Sequence, residues 1–221
     1  MNQGLRKFLL ATHITLAVGW IGGVLAYLVL VATAMTSEDL LTLRAAWIAM
    51  ELIGWYLLVP LAVSSLITGL VLSVGTSWGL LRHYWVLISL VLTTVATVVL
   101  LLHMPTVSAI ARVAAEQAIA DVGVLRGGLR GELLHAGLGL LVLFTIEALT
   151  VYKPLGLTAY GQRTLPQGTR ASRSAADVGV RPARASTSRT PRWAQVVGFH
   201  AIGLALLFVI MHLITGGGTH H

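Results

Sequence analysis

Histidine is the side chain in this sequence with the widest scope for chemistry. The chain has no cysteine, so disulfides, thiolate metal ligands and cysteine nucleophiles are excluded. Ionisable side chains are costly to place inside a membrane, so a histidine there needs a metal, a haem iron or a polar partner. Six histidines precede the C-terminal His220 and His221, and all six lie in or beside strongly apolar segments: His13, His83, His103, His135, His200 and His212.

Their positions along the apolar segments predict two layers. His13 lies eight residues into its apolar segment and His200 seven residues into another, so together they form an inner layer. The outer layer contains His103, His135 and His212, while His83 is expected at the inner boundary. His200 and His212 are twelve residues apart, which is about 18 Å of helical rise. That separation suits two haem groups, or one haem with a metal or quinone site.

Other side chains are expected to support these layers. Trp20 lies on the same helical face as His13. Glu132 precedes His135 by one turn and is expected to orient that imidazole. Glu51, near the outer end of its segment, is expected to pair with an outer group, to relay protons or to be solvated at the interface.

Methionine predicts an alternative chemistry at the outer layer. Met104 adjoins His103, and Met211 adjoins His212. Thioethers and imidazoles together are a soft ligand set that suits Cu(I). The competing interpretation is that methionine fills gaps between helices.

Long apolar segments must position all these side chains. Only 10% of the residues are charged and 56% are hydrophobic, far from the usual composition of soluble domains. Five segments are long enough to cross a bilayer: 5–35, 46–75, 83–104, 132–152 and 193–215. The sequence therefore predicts an all-α polytopic membrane bundle. Residues 1–152 form a four-helix core, 153–192 a basic cytoplasmic linker without fixed structure, and 193–221 the fifth helix with a short outer tail.

The basic residues predict the orientation of the chain. With the N-terminus inside the cell, eleven of the fifteen Lys and Arg residues fall on the cytoplasmic side. The predicted topology is N-in and C-out in a bacterial cytoplasmic membrane. The net charge of +7 is explained by this asymmetry, and no nucleic-acid partner is expected.

Parts of the chain resemble known families. The stretch from His13 through Trp20 to Gly23 is similar to the first helix of the copper-resistance D-type and protoporphyrinogen oxidase J-type membrane proteins, which implies haem or copper at His13. Residues 5–165 resemble an uncharacterised family of actinobacterial integral membrane proteins, which brings no established activity. Ser89 stands where a lysine is expected in that family. The matching pieces are 49–55, 82–85, 102–103, 130–136 and 151–154.

Three hypotheses follow from these observations. The first is a b-type haem protein that transfers electrons or handles haem, with His13 and His200 as inner ligands and two of the outer histidines as outer ligands. The second is a copper-handling protein with an outer site made of His103, His135, His212, Met104 and Met211. The third is a non-catalytic membrane subunit with structural histidines. The expected partners are the lipid bilayer and a membrane redox protein or a second copy of the chain.

Overall fold

The computed structural model describes residues 2–75, 83–116 and 122–152, together with Gly203. The predicted basic linker and fifth helix lie outside these described residues. His200, His212 and Met211 therefore lie outside them too.

The described residues form four long helices, each long and apolar enough to cross a membrane, as expected of a multi-pass membrane protein. The second helix is a composite in which a wide π-helical turn joins α2 to α3. The elements are α1 (Gln3–Thr36), α2 (Leu40–Ile53), the π-helical turn (Gly54–Leu58), α3 (Val59–Gly75), α4 (Tyr84–Ala115) and α5 (Val122–Tyr152). The first four predicted spans are thereby confirmed as long apolar helices, within residues 3–152.

The helices pack as an up-and-down four-helix bundle. α1 and α4 each contact both the composite α2–α3 helix and α5, so α1 lies diagonally across from α4. Residues 37–39 connect α1 to α2 in a short turn. The Asp39 side chain accepts hydrogen bonds from the backbone N–H groups of Leu41 and Thr42, which begins α2.

At one end of the bundle the helices are longer than the sequence predicts. The segment 105–131, expected to be an outer loop with a short interfacial helix, instead extends two spans. α4 continues through Pro105 to Ala115, and α5 begins at Val122 rather than Glu132. Pro105 removes only one helical hydrogen bond, and the helix continues because Val107 and Ala111 are buried in the bundle.

The π-helical turn lies close to a proline. It ends at Leu58, two residues before Pro60, which has no N–H to donate to the carbonyl one turn back. The N–H of Val59 bonds to the carbonyl of Gly54, five residues earlier. At Gly54 the Met104 thioether of α4 occupies the space of a side chain, since a Cβ there would lie 2.3 Å from its methyl carbon.

Candidate functional site

The candidate site is a group of four buried side chains from three helices, which we call the cluster: Tyr27, His103, Glu132 and His135. Glu132 of α5 lies at its centre. One carboxylate oxygen, Oε2, accepts a hydrogen bond from the Tyr27 hydroxyl of α1 at 2.7 Å. The other, Oε1, lies 2.9 Å from Nε2 of His103 on α4. Glu132 is only 3% exposed, so these contacts replace the water that an exposed carboxylate would bind.

The two histidines of the cluster stack on each other. The ring centroids of His103 and His135 are 3.7 Å apart, and the ring planes are inclined by 13°. Both side chains are buried. Two imidazolium ions at this separation would repel each other strongly. The stack therefore disfavours a second positive charge beside the first.

The cluster forms the polar end of a cavity of about 50 Å³. The other walls are mainly apolar and include Trp20, Leu58, Ala96, Met104, Gly139 and Leu143. A site for a water molecule needs about 10–15 Å³ of such volume, so the cavity has room for a few waters. Pockets that hold ligands of drug size usually measure about 300–1,000 Å³.

Of the three predicted outer histidines, the structure describes His103 and His135, and these two leave no gap between them for a porphyrin. Their rings stack face to face, with centroids 3.7 Å apart. Nε2 of His103 is already hydrogen-bonded to Glu132. The cavity is also far smaller than a macrocycle requires.

The copper ligands predicted within the described residues come together only in part. His103, His135 and Met104 line the same cavity, and a single ion is small enough for that space. Within residues 2–75, 83–116 and 122–152, however, no group of three or more His, Asp or Glu side chains has a geometry that could hold a metal ion. The Met104 thioether packs against Gly54, which is the gap-filling role of methionine.

His13 lies far from the cluster along α1 and contacts α3. Its Nδ1 is 2.9 Å from the Thr68 hydroxyl oxygen, and its ring lies over Gly69, where a Cβ would be 3.1 Å from the ring carbon Cε1. The Thr68 hydroxyl donates to the carbonyl of Ser64. When the hydroxyl proton of Thr68 bonds to that carbonyl, Nδ1 of His13 is the donor to Thr68.

Glu132 and Glu51 have different surroundings. Oε1 of Glu132 lies within hydrogen-bond distance of Nε2 of His103, which is on the neighbouring helix α4. Glu51 is partly exposed. Arg44, a basic residue earlier in α2, donates to the carbonyls of Ala114 and Ala115 at the end of α4.

Tyr27 is the cluster residue that the sequence analysis missed, although a signal was present. It follows Trp20 by seven residues, and Trp20 follows His13 by seven, so all three lie near one face of α1. The structure buries Trp20 and Tyr27 against the same cavity. Extending the seven-residue spacing one more step along α1 would have predicted Tyr27.

Neither a protein-family model, nor a curated protein, nor a solved structure matches this chain.

Proposed function

We propose that this protein is a membrane subunit whose buried cluster binds an exchangeable proton. The observation that carries the proposal is the hydrogen bonding of Glu132 to both Tyr27 and His103, which joins three helices through one buried carboxylate. Carboxylates and histidines inside a membrane bundle are the usual parts of proton-binding sites. Of the three hypotheses from the sequence, the subunit with hydrogen-bonded histidines agrees best with these contacts.

Glu132 and His103 can exchange a proton without leaving an isolated charge buried in the bundle. Glu132 and His103 are in direct hydrogen-bond contact, so a proton between them can reside on either partner. A charged pair and a neutral pair have the same net charge, and neither leaves an isolated ion buried. His135 stacks on His103, so protons on both imidazoles would place two positive charges side by side.

Infrared difference spectroscopy of the purified protein during a pH titration tests this proposal. The wild type should show a carboxylic-acid C=O band that appears with acidification and is absent from Glu132→Gln. The matched control is Glu147→Gln, which removes a half-buried carboxyl group from the same helix and should leave that band in place. The proposal fails if Glu132→Gln and the wild type give the same carboxyl difference bands throughout the titration.

A second candidate is haem bound at the inner layer, and the orientation of His13 favours it. Nδ1 of His13 donates to Thr68, an arrangement that leaves Nε2 as the ring nitrogen for a metal. His200 is the proposed second ligand, and a bound haem would supply one-electron redox chemistry. Protein purified after haem-supplemented expression should then show a Soret band that His13→Ala lacks. A colourless wild type would rule this candidate out.

Copper at the outer layer is a third candidate, favoured by the meeting of His103, His135 and Met104 in one cavity. His212 and Met211 are the further ligands proposed from the sequence. Metal analysis of protein purified from copper-supplied cells should find copper, and His135→Ala should lose it. Copper-free wild-type protein would contradict this candidate.

The cellular setting is part of the proposal. The fifth span, the N-in and C-out topology and the bacterial cytoplasmic membrane are inferred from the distribution of apolar and basic residues. A reporter fused to the C-terminus that is active only outside the cytoplasm should therefore be active.

A further inference from the structure

Buried polar side chains are unevenly distributed along the bundle. We call the part beyond the cluster, where α1 leads into α2 and α4 precedes α5, the cap: residues 28–36, 40–53, 104–115 and 122–131. The opposite part is the base: residues 3–26, 59–75, 84–102 and 136–152. Among the described residues, the buried hydroxyl, imidazole and carboxylate side chains are the four of the cluster and three of the base, the latter being Ser65, Ser73 and Thr97.

The cap is closed by large apolar side chains. Leu43, Trp47, Val107 and Leu125 are all 0% exposed. The indole N–H of Trp47 donates a hydrogen bond to the carbonyl of Leu125, so it is not available as a donor to water. Water and protons need polar partners to pass through a protein interior, and the described part of the cap contains no buried hydroxyl or ionisable side chain to supply them.

The base offers polar groups at intervals that begin near the cavity. Thr97 on α4 precedes His103 by six residues, and Ser65 on α3 follows the cavity residue Leu58 by seven. Thr97 lies about 9 Å from the level of His103 along α4, and Ser65 lies about 10 Å from Leu58 along α3. His13 and Thr68 follow further towards the base end. The hydroxyls of Thr97 and Thr68 donate to carbonyls of their own helices, and their oxygens keep lone pairs that can accept from water.

We propose that the cluster exchanges water and protons with the base end of the bundle and not with the nearer cap end. This inference rests on the proposed proton-binding function, but it concerns the route to the site rather than its titration. The route runs from the cavity past Thr97 and Ser65 to His13 and Thr68. Under the proposed topology, it opens to the cytoplasm.

Silver-ion accessibility of introduced cysteines tests the route, and the absence of native cysteine makes the chain a ready background. Thr97→Cys and Ser65→Cys probe the base, while Ala111→Cys, on α4 with 1% exposure, is the matched probe of the cap. Asn2→Cys and Glu38→Cys, both exposed at opposite ends, report which side of each vesicle faces outwards. Ag⁺ is small enough for the cavity, and it blocks later labelling of the denatured protein by a maleimide.

Silver on the base side should remove most of the labelling of T97C and S65C, whereas silver on the cap side should leave both labelled. A111C should stay labelled in both cases. Protection from the cap side, or no protection of either base cysteine from either side, would overturn the proposed route. Using two base positions keeps the test decisive if one variant does not fold. A positive silver result with no Glu132-dependent carboxyl band would refute the proposed function while leaving the water route standing.

Discussion

The cap and the base of this bundle are built from the same four helices but packed differently. Among the residues that the structure describes, seven of the nine largest fully buried side chains lie in the cap, and the other two, Leu92 and Val142, lie in the base. The base instead buries small and hydroxyl side chains such as Ala62, Ser65 and Thr97. Small residues let helices approach closely inside a membrane, where apolar burial by itself gives little drive for association.

This difference explains why the cluster lies where it does. A carboxylate joined to a phenol and an imidazole is stable in the bundle only if its geometry is held. The large apolar side chains of the cap lie on one side of the cluster, and the cavity lies on its other side, towards the base. On this view the cap stabilises the bundle, and the base gives water and protons access to the cluster. Four substitutions test these separate roles of the cap and the base.

Trp47→Ala should have the largest effect. Trp47 is fully buried in the cap, bonds to the Leu125 carbonyl and packs against Gly128. Its removal should cost about 3–5 kcal/mol through the cavity it leaves. Thermal unfolding in detergent measures the loss. Trp55→Ala is the control, since Trp55 is 38% exposed, and a similar loss for both variants would argue against a tightly packed cap.

Gly54→Ala should have the next largest effect. The new methyl group would collide with the Met104 side chain, and overpacking of this kind costs about 1–3 kcal/mol. Combining it with Met104→Ala should cost less than the sum of the two single changes, because the shorter side chain removes the collision. Additive losses in a thermal-unfolding cycle would mean that Gly54 and Met104 do not share this space.

Thr68→Val should have a smaller effect in the base. It removes the hydroxyl that joins α3 to His13 of α1, and hydrogen bonds between membrane helices contribute about 0.6 kcal/mol on average. Thr94→Val is the matched control, since its exposed hydroxyl bonds only within α4. A loss as large as that of Trp47→Ala would show that the base, too, depends on specific contacts for its stability.

Asp39→Ala should have the smallest effect, and one that depends on pH. Hydrogen bonds from the Thr42 hydroxyl and from the backbone N–H groups of Thr42 and Leu41 hold the pKa of Asp39 below its ordinary value. A lowered pKa in the folded state stabilises the protein above the unfolded pKa, and the stabilisation is lost as the pH falls through the folded value. The difference in melting temperature between wild type and variant should therefore shrink below about pH 4. A constant difference would show that the charge of Asp39 is not involved.

The fold was largely predictable from the sequence, and the errors lie at one end. Long apolar runs with few charges identify the membrane helices because the bilayer requires them. The same rule places the start of the fourth span at Glu132, whereas α5 begins at Val122 and includes the charged residues Arg126 and Arg130. Hydropathy locates the membrane-crossing part of a helix, but it does not locate where the helix ends.

The members of the site were predictable, but their partners were not. His103, Glu132, His135 and Trp20 were all singled out as residues that cost energy to bury or that share a face. The sequence placed Glu132 with His135 because only spacing within one helix can be calculated from it. The contact to His103 depends on how α4 rotates against α5.

The sequence by itself determined that the described residues contain four helices long and apolar enough to cross a membrane, with histidines in three of them, because a bilayer constrains composition and length directly. It also marked Met104 as a candidate ligand. Only the tertiary structure decided that Met104 fills the notch at Gly54, that the two outer histidines stack, and that Tyr27 completes the cluster. These features depend on which helices are neighbours and at what rotation, and such contacts between distant residues leave no periodic signal in a single sequence.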